Sequence, residues 1–262
     1  MTKLINYYRS RPKNSSFFLF LIASFFTSIL RAESDLQEKQ TEKSRYASGV
    51  VSILYSNHYF QANHSPLYWR LSPYYLPQLT DSSCSLASAT MIVNAARSHQ
   101  HLMAHQSLAS QDELLNRVNE KQWSEAVKQG GNGVSLNELK IFLEKALNVY
   151  GVKNFTVAVR QMNNNAKENE LLFRQTLMES ESTGKTFIIA NFNQKIFTDF
   201  ESVGHFSPIG AYDRATQRVL IMDPDRKLYE PYWVPVKLLL KSMSIPDVKG
   251  GYYRGYITVN IQ

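Results

Sequence analysis

Cysteine is almost missing: among 262 residues there is one, Cys84. A single cysteine can close no disulfide within the chain and can build no cysteine-rich zinc or thiolate site. Acidic residues are absent from the first 32 positions, where Lys3, Arg9, Arg11, Lys13 and Arg31 supply the only charges. Without that stretch, 24 basic residues stand against 22 acidic ones, so the formal charge of +7 is a local feature. No basic face is left to serve nucleic acid. Long apolar runs are scarce too, with one at Ser15–Leu30 and none of that length elsewhere. His99, His101 and His105 have no Glu in an HExxH frame, and their polar setting reads as a solvated surface rather than a metal site. There is no internal repeat.

What is present begins with a targeting pattern. Lys3–Lys13 is a positive leader, SSFFLFLIASFFTSIL at 15–30 is the apolar core, and Ala32 offers a cleavage point. The expectation is export to a periplasm or a secreted state. The alternative is an uncleaved anchor, although about 16 apolar residues is short for a span. Residues 33–45 (ESDLQEKQTEKSR) read as a polar linker, and 46–262 as the catalytic domain.

Apolar spacing predicts helices over 85–98, 111–124, 135–148 and 168–183. Asp81, Ser82 and Ser83 can cap the first, which puts Cys84 at or beside its first turn. Ser135 and Glu138 are spaced for a capping box. A strand-like piece lies at 49–54, and strands are predicted at 186–192, 204–212, 218–222 and 252–260, with a hairpin turn at 213–217. Helices lead and a largely antiparallel sheet follows, so the class is α+β: a helical lobe to about 183, then a sheet lobe.

Cys84 sits in QLTDSSCSLASAT, with Gln78 six residues before it. As a buried small hydrophobe it would need no polar flank, yet Asp81, Ser82, Ser83 and Ser85 surround it. At a helix start, free amides and the dipole favour an anionic sulfur. Downstream, His205 opens an apolar strand after Gly204, and Asp223 closes another. If the hairpin pairs residue i with about 428−i, Asp223 stands opposite His205 and can orient its ring. His58, His64 and the 99–105 cluster are rival histidines, and Asp225 is the rival carboxylate. Cysteine nucleophile, histidine base and aspartate then follow in a workable order, with the Gln78 amide as oxyanion donor.

With those residues laid out, the chain resembles the phytochelatin synthases, a branch of the papain-like cysteine peptidase clan. GHFSPIGAYD at 204–213 and LIMDPDRKLYEPYWVPVKLL at 220–239 carry the likeness, which runs from about Tyr74 onward. The resemblance implies a papain-like fold in which Cys84 is the nucleophile, His205 the acid/base, Asp223 its orienting partner and Gln78 the oxyanion donor. It implies substrate contacts at Arg226, Tyr229, Asp247 and Asn191; without it, Arg226 and Asp247 read as a surface charge pair. It implies cleavage of the Cys–Gly amide of glutathione through a thioester, ending in γ-glutamylcysteine or in phytochelatins. No protein-bound cofactor or metal site is implied; cadmium or zinc enters as metal–thiolate substrate or activator. Glutathione is the expected partner, with no nucleic acid, no membrane beyond the amino-terminal signal, and room for a homodimer. Two departures stand out: Ser85 follows the nucleophile where the family has Gly, narrowing the approach, and Pro224 follows Asp223. The resemblance implies a short bacterial type, without the cysteine-rich carboxyl-terminal region of the plant enzymes. A peptidase for another peptide, or a non-catalytic glutathione or metal binder, are the competing readings.

Overall fold

The computed structural model describes residues 45–100, 102–198, 203–247 and 252–262. The apolar run at 15–30, the cleavage point after Ala32 and nearly all of the 33–45 linker lie outside these residues. Among the described residues no helix is long and apolar enough to cross a membrane.

Among the described residues, seven strands make one sheet in which every pairing is antiparallel. They are β1 (Val51–Ser52), β2 (Phe155–Gln161), β3 (Thr186–Asn193), β4 (Gly204–Asp213), β5 (Arg218–Ile221), β6 (Tyr232–Pro235) and β7 (Gly255–Ile261). Their order across the sheet is β1-β6-β5-β4-β3-β7-β2. The helices are α1 (Asn57–Ala62), α2 (Pro66–Leu71), α3 (Cys84–His99), α4 (Gln111–Val118), α5 (Lys121–Val127), α6 (Leu136–Val149), α7 (Ala166–Thr183) and α8 (Val236–Met243). The class is therefore α+β, as the sequence suggests.

The interior strand β3 shows why. All eight of its residues, TFIIANFN, are buried, a pattern that requires cover on both faces of a sheet. Phe187 and Ile189 pack with α3 to α6, while Ile188, Ala190 and Phe192 pack with α7 and α8. Burying two faces this way removes most apolar area from water, at roughly 25 cal/mol per Å². Edge strand β2 instead alternates half-buried and exposed residues, as a strand covered on one face does.

Several expectations need correcting. The helix anticipated over 111–124 is two helices, because Asn119 adopts a left-handed conformation (φ 52°) and Glu120 is extended. The strand-like piece at 49–54 yields two strand residues and then a 3-10 turn at Ile53–Tyr55. The strand anticipated over 252–260 starts only at Gly255. Strands β2 and β6 and helices α1, α2 and α8 were not anticipated. Residue 183 is not a boundary in space either: β2 lies in the sheet, and Phe173 and Leu177 of α7 pack against it.

The hairpin register also differs. Asp213 pairs with Arg218 and Ile209 with Ile221, so the partners sum to 430 or 431 rather than 428. A bulge at Gly210 accounts for the change between the two values. It also resets alternation: Ile209 and Tyr212 face one core with Val219 and Ile221, while Ala211 faces another with Leu220 and Met222.

Candidate functional site

The bulge decides which way His205 points. Beyond Gly210, residues 205, 207 and 209 share a face, and residues 219, 221 and 223 continue that face from β5. The imidazole accordingly stacks edge-on against Phe192, its direct partner on β3, at 5.5 Å. Carried past Ile221, the register sets Asp223 across from Ser207, one pleat repeat from His205. Side chains on such a diagonal still meet: His205 Nε2 lies 2.8 Å from Asp223 Oδ1. The expected pair is therefore real, but it is diagonal rather than directly opposed.

Cys84 is the first residue of α3 and is 8% exposed. Ser83 occupies the cap position, yet its hydroxyl accepts from the Leu79 and Thr80 amides at 3.0 and 2.8 Å and gives the helix no side-chain cap. No acidic residue lies in the first turn. The amides at the start of α3 thus keep their partial positive charge for a group placed beside Cys84. The sulfur lies near enough to His205 to favour its charged form. With Nε2 committed to Asp223, Nδ1 is the ring nitrogen left for it.

Asp223 is completely buried and fully partnered. Oδ1 accepts from His205 Nε2 and from the Asp225 amide at 2.9 Å. Oδ2 accepts from the Tyr232 hydroxyl at 2.6 Å and from Gln194 Nε2 at 3.4 Å. Burial alone would raise the Asp223 pKa, but His205, Tyr232 and the Asp225 amide together hold it below the usual carboxylate range. Burial likewise opposes a charged imidazole, yet Asp223 and the Cys84 sulfur push the His205 pKa well above its ordinary value. The pair therefore favours imidazolium beside carboxylate. Asp225 is pushed up by burial and by the neighbouring Asp223 charge; it serves Asp223 through its backbone rather than replacing it.

Other anticipated residues fall into three groups. Gln78 is tied to the carboxylate segment, its amide donating to Pro224 O at 2.8 Å, and its Oε1 is buried without a hydrogen-bond partner. Asn191 donates to the His205 carbonyl at 3.3 Å and also leaves a buried, unpartnered Oδ1. Arg226 is exposed, stacks on the Tyr75 ring at 4.9 Å, and donates to the Tyr75 hydroxyl and the Tyr229 carbonyl. Tyr75 in turn donates to the Asp223 carbonyl at 2.5 Å. Tyr229 is buried against Tyr46 and Tyr232. Asp247 pairs with Arg254 at 3.6 Å. Ser85 does not narrow the approach: it is buried, and its hydroxyl accepts from the Trp123 indole inside the helical core.

Arg254, Tyr232 and Gln194 were not anticipated. Arg254 is 2% exposed, its Nη1 donates to the Ile245 and Pro246 carbonyls, and its Nε is unpartnered. Nη2 lies 3.2 Å from where a side chain on Gly204 would begin, so glycine there admits the guanidinium beside His205. The signal available was an arginine inside the apolar run YYRGYITV.

The model of the phytochelatin synthase family matches residues 51–256. Glutathione gamma-glutamylcysteinyltransferase 1 of Arabidopsis thaliana is 34% identical over 88 residues, 34% of this chain and 18% of that protein. The gamma-glutamylcysteinyltransferase 3 of Lotus japonicus is 46% identical over 57 residues, 22% of this chain and 12% of its own length. The enzyme of that name from Schizosaccharomyces pombe is 28% identical over 126 residues, 48% of this chain and 28% of its own. The chain therefore spans well under a third of the length of these relatives.

Proposed function

The chain belongs to the phytochelatin synthase family, and on that premise we propose that it cleaves the Cys–Gly amide of glutathione through a thioester on Cys84. The observation that carries this reading is the buried line Cys84–His205–Asp223, with the sulfur at the uncapped start of α3. The arrangement is read as papain-like, a nucleophile at a helix start with base and carboxylate on the facing sheet. Glutathione enters from the relatives' names.

Cys84 Sγ attacks the amide carbonyl. The oxyanion is received by the first-turn amides of α3 and by Gln78. His205 gives its Nδ1 proton to the glycine nitrogen, the C–N bond breaks, and glycine leaves. The γ-glutamylcysteinyl group is then held on Cys84 as a thioester. His205 next takes a proton from water or from the amine of a second glutathione. Water yields γ-glutamylcysteine; the amine yields a phytochelatin. Asp223 keeps the ring oriented throughout and stabilises its charged form, without taking its proton. Arg254, Asp247 and the outer edge of Arg226 hold the charged ends of the substrate, and the unpartnered oxygen of Asn191 accepts one of its N–H groups. Cadmium or zinc acts as part of a metal–thiolate substrate. The protein works outside the cytosol, exported by the Ser15–Leu30 segment.

The test is product analysis on the full chain with glutathione, with and without cadmium, beside Cys84→Ala. Free glycine, lost in the variant, is the expected result, and γ-glutamylcysteine oligomers would add transfer to hydrolysis. No glycine under any metal condition overturns the glutathione reading and turns the search to other peptides.

A further inference from the structure

The Asp223 carboxylate is held on both oxygens, and the tightest contact comes from a residue that no step above uses. Tyr232 stands on β6 opposite Ile221, two residues short of Asp223 along β5. Its register and face therefore carry its hydroxyl to Oδ2, at 2.6 Å. The ring is wholly buried and set by Tyr46 at 5.2 Å, Phe197 at 5.8 Å and Tyr229 at 5.9 Å. Among the described residues the only other donor to Oδ2 is Gln194, at 3.4 Å. Without the hydroxyl, the carboxylate would keep one long contact on that side and could turn about its Cβ–Cγ bond.

We propose that Tyr232 is a positioning residue for the reaction: by donating to Asp223 Oδ2 it fixes the plane of the carboxylate and leaves Oδ1 aimed at His205 Nε2. This rests on the reading of Cys84, His205 and Asp223 as the reacting line. The groups facing Asp223 are His205 from β4, Tyr232 from β6, Gln194 from the 3-10 turn after β3, and Asp225 next along the chain. Tyr46, Tyr75 and Tyr229 stand behind them, and Cys84 lies beyond the imidazole. Tyr232 stays protonated because burial and the Asp223 charge both push its pKa far up, so it can act only as donor to the carboxylate. Losing that donor raises the Asp223 pKa, and the carboxylate then takes a proton at a higher pH than in the wild type.

The experiment uses the full chain, Tyr232→Phe and the packing control Tyr46→Phe, whose ring lies against Tyr232 at 5.2 Å. The first readout is the rate of alkylation by iodoacetamide as a function of pH. Cys84 is the sole thiol, so the label reports on it alone. The second is kcat and KM for glycine release. The expected result for Tyr232→Phe is an acid limb of alkylation moved up by at least about half a pH unit. With it goes a fall in kcat of about tenfold at a KM within about twofold, the scale of an outer-shell contact. Tyr46→Phe keeps the wild-type profile. A wild-type acid limb in Tyr232→Phe overturns the proposal. If that variant fails to fold, Gln194→Leu removes the weaker donor to Oδ2 and must move the limb the same way by less; an unmoved limb there is equally fatal. Should the wild type release no glycine, the glutathione reading fails, and the alkylation profile still decides the role of Tyr232.

Discussion

The two ends of the β4–β5 hairpin are built on opposite terms. At one end, His205 and Asp223 are 5% and 0% exposed, and each oxygen of the carboxylate has two donors. At the other, around Tyr212, Asp213, Arg214 and Arg218, the hairpin opens on a cleft of about 1190 Å³ walled by Tyr59, Met178 and Trp233. That cleft has its own half-buried carboxylate, Glu181, which accepts from the Tyr212 amide at 2.9 Å and the Tyr59 hydroxyl at 3.1 Å. Burial raises the Glu181 pKa, only partly opposed by the Tyr212 amide and the Tyr59 hydroxyl. Burial also works against Asp223, but there a histidine and a tyrosine reverse it. Volume alone would choose the wide cleft. The chemistry proposed here belongs to the narrow end, because a reacting group needs its charge set by neighbours at bonding distance rather than by room.

Removing a reacting atom should separate the ends most sharply. Cys84→Ala is expected to cut glycine release by at least about 10³-fold, measured by amine analysis, with thermal stability little changed. Deleting Gly210 comes next. Without the extra residue, the strand's alternation would turn His205 to the opposite face, and release should fall by about 10³-fold. One residue added to the turn at 214–217 should leave the rate within about twofold, because loops tolerate such insertions. Equal losses from the two changes would refute the parity argument.

Asp223→Asn should then show as pH-dependent stability. The Asp223 contribution is fully present above about pH 3.9 and is lost as pH falls through its lowered folded value. The His205 contribution is fully present below about pH 6.5 and is lost as pH rises through its raised folded value. Melting temperature measured against pH should therefore be highest between those limits in the wild type. Asp223→Asn should lose about 3–5 kcal/mol there, the scale for breaking a buried pair, and should flatten the acid side. The smallest effect is expected at the wide end. Glu181→Gln should change stability by under about 1 kcal/mol and leave glycine release untouched; a clear loss of activity would mean that the cleft takes part after all.

The line proposed to react was legible because each residue stands in a telling local setting: Cys84 among small polar residues before a helix, His205 after a glycine, Asp223 at the end of an apolar run. Their pairing was legible only in outline. The bulge moves the register by a residue, and Gly210 was its one visible sign. The alternation in FTVAVRQ marks β2, but two stronger helical patterns flank and mask it. Residues acting through the fold were the least accessible. Tyr232 reaches Asp223 from a neighbouring strand, and Arg254 meets Asp247 through a loop and Gly204 through close approach. Nothing in the chain order puts those partners side by side. Ser85 shows the converse, a departure at the nucleophile's own neighbour that the core absorbs through Trp123.

The bulge also says where this chain can be lengthened and where it cannot. A substitution between His205 and Gly210 changes one side chain, but an inserted or deleted residue there rotates every side chain before it by half a turn of the strand. The tip beyond Asp213 carries no such debt, since strands on both sides of it are already in phase. Graft junctions, reporter insertions and loop exchanges therefore belong at 214–217, and the five steps from His205 to Gly210 are to be copied by count before they are copied by letter.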